Sequence, residues 1–287
     1  YDLTCSAVDS GGNAIWSDED RRLVERELLL EYLMGAEPYV GGPGHATNAN
    51  NKAPRIYNAM ASVGKCLGIA AFMDTAIQGY ETVRDESFLF DGFSTESPAY
   101  TNMYLGTLLV VPETLHGFEW PASYAARSGT VDLYRTDAQL RLMYRQVLET
   151  IVGTGHYLPL SDTRVESRPS GHILQMGVRR YPDLFAGVLP SLGADVSSEY
   201  AMFNLAEAEL TKDNGLSLEE TYYPAWMTSI FRHGEGPMTS TMTLAFNPPG
   251  GHRHYDNLAL FYVDHGHTIL GDLGYVGDMP VNRWIKS

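Results

Sequence analysis

The chain has 287 residues, 44% apolar and 19% charged, which is enough for a substantial core in one large domain or two ordinary ones. Its formal charge of −15, with no face rich in Lys and Arg, excludes generic binding to nucleic acid or to an anionic membrane. No run reaches the roughly 18 apolar residues of a membrane span, and no basic leader with an apolar core is visible as a signal peptide.

The two cysteines, Cys5 and Cys66, form no CxxC pair, so a zinc-thiolate site is not expected. Cys66 falls on an apolar helical pattern and reads as a buried thiol, with one disulfide as the alternative.

Residues 18–34 open with Ser17 as N-cap and acids in the first turn, and carry Leu23, Leu28, Leu30 and Leu33 as apolar positions, which predicts an amphipathic helix. The Gly- and Pro-rich stretch 35–51 should end it and form a polar loop, with Asn50 or Asn51 capping the next helix. Helical spacing returns at 53–71 and 73–90, where Gly64 and Gly68 suit close helix contact. It recurs at about 100–111, 131–152, 172–180 and 199–210. After Gly215 the texture changes to short β-branched and aromatic runs between turns, which predicts antiparallel β structure. The expected division is therefore a helical domain over 1–215 and a β domain over 216–287.

The sharpest motif is Gly250-Gly251-His252-Arg253-His254-Tyr255-Asp256-Asn257, leading into an apolar strand. Imidazoles at i and i+2 share one face of a strand and suit a metal, or one metal ligand beside one catalytic group. Asp272, at the end of the next apolar run, is a further oxygen donor. A cupin metal site is disfavoured because Leu258 and Ala259 stand where it needs a Glu. The bland reading is a solvated His-rich turn.

Two weaker motifs precede it. Asp91-Gly92-Phe93-Ser94-Thr95-Glu96-Ser97-Pro98-Ala99-Tyr100 brings acids and a tyrosine to a turn-to-helix junction, although aromatics entering a helix are usually core. The polar loop His45-Ala46-Thr47-Asn48-Ala49-Asn50-Asn51-Lys52 lies upstream, His45 standing 55 residues before Tyr100.

In order and spacing these three elements resemble the heparinase II/III superfamily of heparinases, alginate lyases and dermatan sulfate epimerases. The members carry a His or Asn on a helix-leading loop, then a DG…E…Y segment, then a GHxHxD motif opening a strand. Here these look like His45, then Asp91, Gly92, Glu96 and Tyr100, then Gly251, His252, His254 and Asp256. The match spans about residues 40–275, and its most specific part is GGHRHYDNLALF…GDLGY.

That resemblance implies an α+β multidomain chain, an incomplete (α/α) toroid followed by the start of an antiparallel β-sandwich. It implies a secreted or periplasmic polysaccharide lyase acting on an anionic uronate polymer by β-elimination. Tyr100 would be the acid/base, and His45 and His252 bases or neutralisers of the substrate carboxylate. Asn48, Asn51, Glu96, Arg55, Arg253 and His156 would contact substrate or support those that do, Glu96 by orienting Tyr100. His254 and Asp272 would hold a structural divalent ion, zinc by preference, with Asn282 or a residue beyond Ser287 as third ligand. Glycosaminoglycan and alginate both stay open as substrate. A C5-epimerase on the same scaffold, a glycoside hydrolase using Asp91 and Glu96, and a non-catalytic carbohydrate-binding protein are the alternatives.

Overall fold

The computed structural model describes residues 1, 4–40, 49–164, 166–246, 252, 254 and 258–272. His45, Asn48, Arg253 and Asn282 lie outside the described residues. The chain forms two compact units, Tyr1–Glu86 with Val110–Asp132, and Ser87–Leu109 with Leu133–Ser287.

In the first unit Ser17 does begin a helix. Its hydroxyl accepts the Asp20 N–H at 3.1 Å and the Asp20 carboxylate accepts the Ser17 N–H at 3.3 Å, a capping box with three acids in the first turn. The helix is α over Asp18–Arg22, π over Leu23–Leu30 and α again over Glu31–Val40. It thus runs past Gly35 and Pro38, where the sequence predicts an end. Both residues penalise a helix without forbidding one, and propensity yields to context.

The next helix, Ala53–Leu67, starts where the Asn50 side chain accepts the N–H groups of Lys52 and Ala53 at 2.9 and 3.2 Å, so Asn50 is the capping residue. Gly64 makes the expected close contact, with Phe72 and Met73, whereas Gly68 ends the helix in a left-handed conformation. Tyr57, Met60, Met73, Ile77 and Tyr80 are fully or almost fully buried in this unit. Beside them the Asp74 carboxylate accepts from Tyr124 Oη at 2.7 Å and Arg127 Nε at 2.6 Å. Cys66 is half-buried, and no disulfide joins it to Cys5.

The second unit carries helices Pro98–Leu108, Leu133–Thr136, Ala138–Glu149, Gly171–Arg180, Pro182–Phe185, Glu199–Asn204 and Glu207–Thr211. Strands β1 (Thr221–Tyr223), β2 (Thr228–His233), β3 (Ser240–Ala245), β4 (Ala259–Asp264) and β5 (His267–Leu270) follow, paired antiparallel in sequence order as a five-stranded meander. The change of texture near residue 215 is present, between Thr211 and Thr221.

That change falls inside one compact unit. Tyr223, Ile230, Ala245, Phe261 and Val263 on one face of the sheet share a core with Phe93, Val152, Leu158 and Leu160 from the preceding half, and with Trp226 of the β1–β2 turn. A sheet of short strands must bury one face against another layer, and here helical-half residues supply it. The architecture is α+β.

Register places Tyr222, Phe231, Met242, Leu260 and Leu270 together on the opposite face, where all five are exposed.

Candidate functional site

The DG…E…Y segment is built as a turn leading into the helix Pro98–Leu108. Asp91 does backbone work in it. One carboxylate oxygen accepts the N–H groups of Ala225 and Trp226, both at 2.9 Å, and the other accepts the Phe93 N–H at 3.3 Å. Gly92 follows at φ +87°, and a Cβ there would lie 2.5 Å from the Leu142 carbonyl carbon, so only glycine fits. Phe93 then lies flat on Trp226, ring centroids 3.6 Å apart. The motif therefore ties the helical half to the β1–β2 turn.

Glu96 points elsewhere than its neighbour Asp91. Its Oε2 accepts the main-chain N–H of His252 at 2.8 Å and sits 2.7 Å from the ring Nδ1. Sequence separation hides this pairing of Glu96 with His252. Tyr100 stacks on the imidazole of His252, centroids 3.4 Å apart and planes 8° from parallel. Tyr100, Glu96 and His252 thus form one cluster, and the His252 side chain is 31% exposed.

His254, two residues on, is almost fully enclosed, its side chain 3% exposed. Its Nδ1 lies 2.8 Å from Asp272 Oδ1 and its Nε2 3.0 Å from Asp162 Oδ1. Burial alone would lower the pKa of this imidazole, but the hydrogen bonds and charges of Asp272 and Asp162 outweigh it and hold the pKa above the ordinary value. The two motif histidines therefore occupy different surroundings, one accessible and one enclosed.

An imidazole and two carboxylates are donor types that suit zinc. Both ring nitrogens of His254 nevertheless face carboxylates, so an ion would have to displace one of those contacts. Among the described residues no group of three His, Cys, Asp or Glu side chains is arranged to hold a metal.

A short turn at residues 161–163 holds both motif histidines. Ser161, at φ +52°, donates its N–H to Asp272 Oδ2 at 2.6 Å and accepts the His254 N–H on Oγ at 3.3 Å. The Asp162 N–H donates to the His252 carbonyl at 3.2 Å, and Thr163 Oγ1 accepts the Ala99 N–H, next to Tyr100, at 3.1 Å. The Ser-Asp-Thr cluster after Pro159 is a visible turn signal, but nothing in it names its partners.

His156 is half-buried, its Nδ1 3.0 Å from Thr154 Oγ1. Burial, reinforced by the charge of Arg168, lowers its pKa below the ordinary imidazole value. Asn51 and Arg55 belong to the first unit, Asn51 half-buried and Arg55 exposed at the start of the helix Ala53–Leu67. No helix among the described residues is long and apolar enough to cross a membrane.

This α+β arrangement is shared with part of solved heparinase and heparan sulfate lyase structures. The chain is similar to a crystal structure of heparinase III, with a TM-score of 0.55 and 15% identity over 90% of this chain and 40% of that one. It is similar also to the heparan sulfate lyase HepC from Pedobacter heparinus (TM-score 0.53, 14% identity, 90% and 39% covered) and to the heparinase III BT4657 gene product (0.55, 15%, 90% and 38%). The likeness at this identity is one of fold, and the chain spans about 40% of the length of these structures. No protein-family model and no curated protein matches the sequence.

Proposed function

We propose that this chain carries the catalytic centre of a polysaccharide lyase that cleaves uronate-containing polysaccharide by β-elimination. The observation that carries this reading is the Tyr100–His252 stack, with Glu96 gripping the imidazole. The likeness in fold to heparinase III and heparan sulfate lyase structures supports it.

β-Elimination needs the C5 proton removed, charge on the substrate carboxylate neutralised, and the leaving O4 protonated. Tyr100 supplies a phenol that can give a proton to O4 and, as phenolate, take one from C5. His252 is the base or the carboxylate neutraliser beside it. His45, Asn48 and Arg253 are proposed to complete the carboxylate site, with Asn51, Arg55 and His156 as polar contacts to the chain of sugars. Such polymers are met outside the cytoplasm, so a secreted or periplasmic location belongs to the same reading.

The finer architecture is proposed likewise: a partial toroid of helices, and a sandwich in which a second β layer covers Tyr222, Phe231, Met242, Leu260 and Leu270. That exposed apolar row supports it. A structural divalent ion, zinc by preference, is proposed, which His254 and Asp272 would help to hold.

The deciding experiment incubates the protein with alginate, heparan sulfate, chondroitin and dermatan sulfate, with and without chelator, following the ultraviolet absorbance of the unsaturated uronate. A rise on any polymer supports elimination and names the substrate class. Binding without a rise overturns the lyase reading, and exchange of the C5 proton with solvent deuterium would then indicate an epimerase. Metal content of the purified protein, with loss of thermal stability on chelation, tests the ion; a metal-free protein insensitive to chelator overturns it.

A further inference from the structure

We propose that Glu96 is a positioning residue that fixes the tautomer of His252, with the proton on Nδ1 and the lone pair on Nε2. The inference rests on reading His252 as a base in the site above. One carboxylate oxygen meets both the main-chain N–H of His252, at 2.8 Å, and its Nδ1, at 2.7 Å. An ionised carboxylate only accepts, so Nδ1 must be the donor. In a neutral imidazole that leaves Nε2 as the basic nitrogen.

The grip is rigid at both ends. The Glu96 N–H donates to Ser94 Oγ at 3.1 Å, Ser94 Oγ meets Thr101 Oγ1 at 2.5 Å, and Thr101 Oγ1 donates to the Ser97 carbonyl at 2.9 Å. These bonds lock Glu96 to the start of the helix that carries Tyr100. On the other side the Tyr100 ring limits tilt of the imidazole, leaving Nδ1 tethered and one ring edge for chemistry. No hydrogen bond to His252 Nε2 occurs among the described residues. Glu96 thus acts through His252, in the way that a carboxylate behind a catalytic imidazole sets which nitrogen reacts.

The test is nitrogen-15 NMR of the histidine-labelled full chain at about pH 8, above the ordinary imidazole pKa, with Glu96→Ala, Glu96→Gln and Glu96→Asp beside wild type. Wild type should show His252 as the Nδ1–H tautomer. Glu96→Gln should retain it, because the amide oxygen still accepts, while Glu96→Ala and the shorter Glu96→Asp should give a mixture. On a uronate polymer that wild type cleaves, kcat should fall on the order of 100-fold in Glu96→Ala with KM within about threefold, and largely recover in Glu96→Gln. A tautomer unchanged in both Glu96→Ala and Glu96→Asp overturns the proposal, as does a changed tautomer with unchanged kcat. Should wild type cleave no polymer, the lyase reading fails separately, and the nitrogen spectrum alone decides whether Glu96 holds the ring. If Glu96→Ala does not fold, a mixed tautomer in Glu96→Asp supports the proposal and an unchanged one overturns it.

Discussion

Tyr100 and His252 lie face to face, ring centroids 3.4 Å apart, although one opens a helix and the other precedes a strand. Tyr100→Phe keeps that stack and removes only the hydroxyl. If Tyr100 transfers the proton as proposed, turnover should fall by at least about 100-fold while polymer binding stays measurable. Steady-state kinetics with a binding isotherm check this, and unchanged turnover removes Tyr100 from the mechanism.

Gly92 stands at φ +87° against the Leu142 backbone. Gly92→Ala should cost at least about 2 kcal/mol, from left-handed strain plus the clash, and lower the urea midpoint. An Ala variant as stable as wild type would show that the turn relaxes freely.

Asp74 in the first unit reports acid stability. Burial would raise its pKa, but the hydrogen bonds from Tyr124 and Arg127 outweigh burial and hold it below the ordinary carboxylate value. Its contribution is therefore complete above the unfolded pKa near 4 and is lost as pH falls through the lower folded value. Asp74→Asn should destabilise the protein near pH 7 by about 1–3 kcal/mol and show a smaller further loss below pH 4 than wild type. Thermal unfolding across that window measures the difference; parallel curves would remove Asp74 from acid stability.

His254 lies between two enclosed carboxylates, so His254→Ala takes away the hydrogen-bond partner of both Asp162 and Asp272. A loss of about 3–5 kcal/mol is expected, with poor soluble yield. Asp162→Asn together with His254→Ala should lose less than the sum of the two single changes, because one unpaired charge is then gone. Additive losses would show that the two side chains do not interact.

Much of the local structure is legible in the chain itself. Ser17 caps because its hydroxyl and Asp20 lie three residues apart, and the strands after Gly215 follow from β-branched and aromatic runs between turns. The resemblance carried by His252, His254 and Tyr100 agrees with the fold of heparinase III structures. The capping and strand signals are short-range: each depends on residues within one turn of helix or one hairpin.

What the tertiary structure alone decided are the pairings. Glu96 meets His252 across 156 positions, Asp162 closes on His254 across 92, and Asp91 holds the β1–β2 turn across 134. A carboxylate in a sequence carries no mark of the partner it will find. That partner is set when the inner sheet face and Trp226 of the β1–β2 turn pack on Phe93 and bring distant loops together. For the same reason the change of texture at residue 215 marks no boundary in packing: periodicity tells how a segment coils or extends, while the apolar surface left over decides what it must pack against.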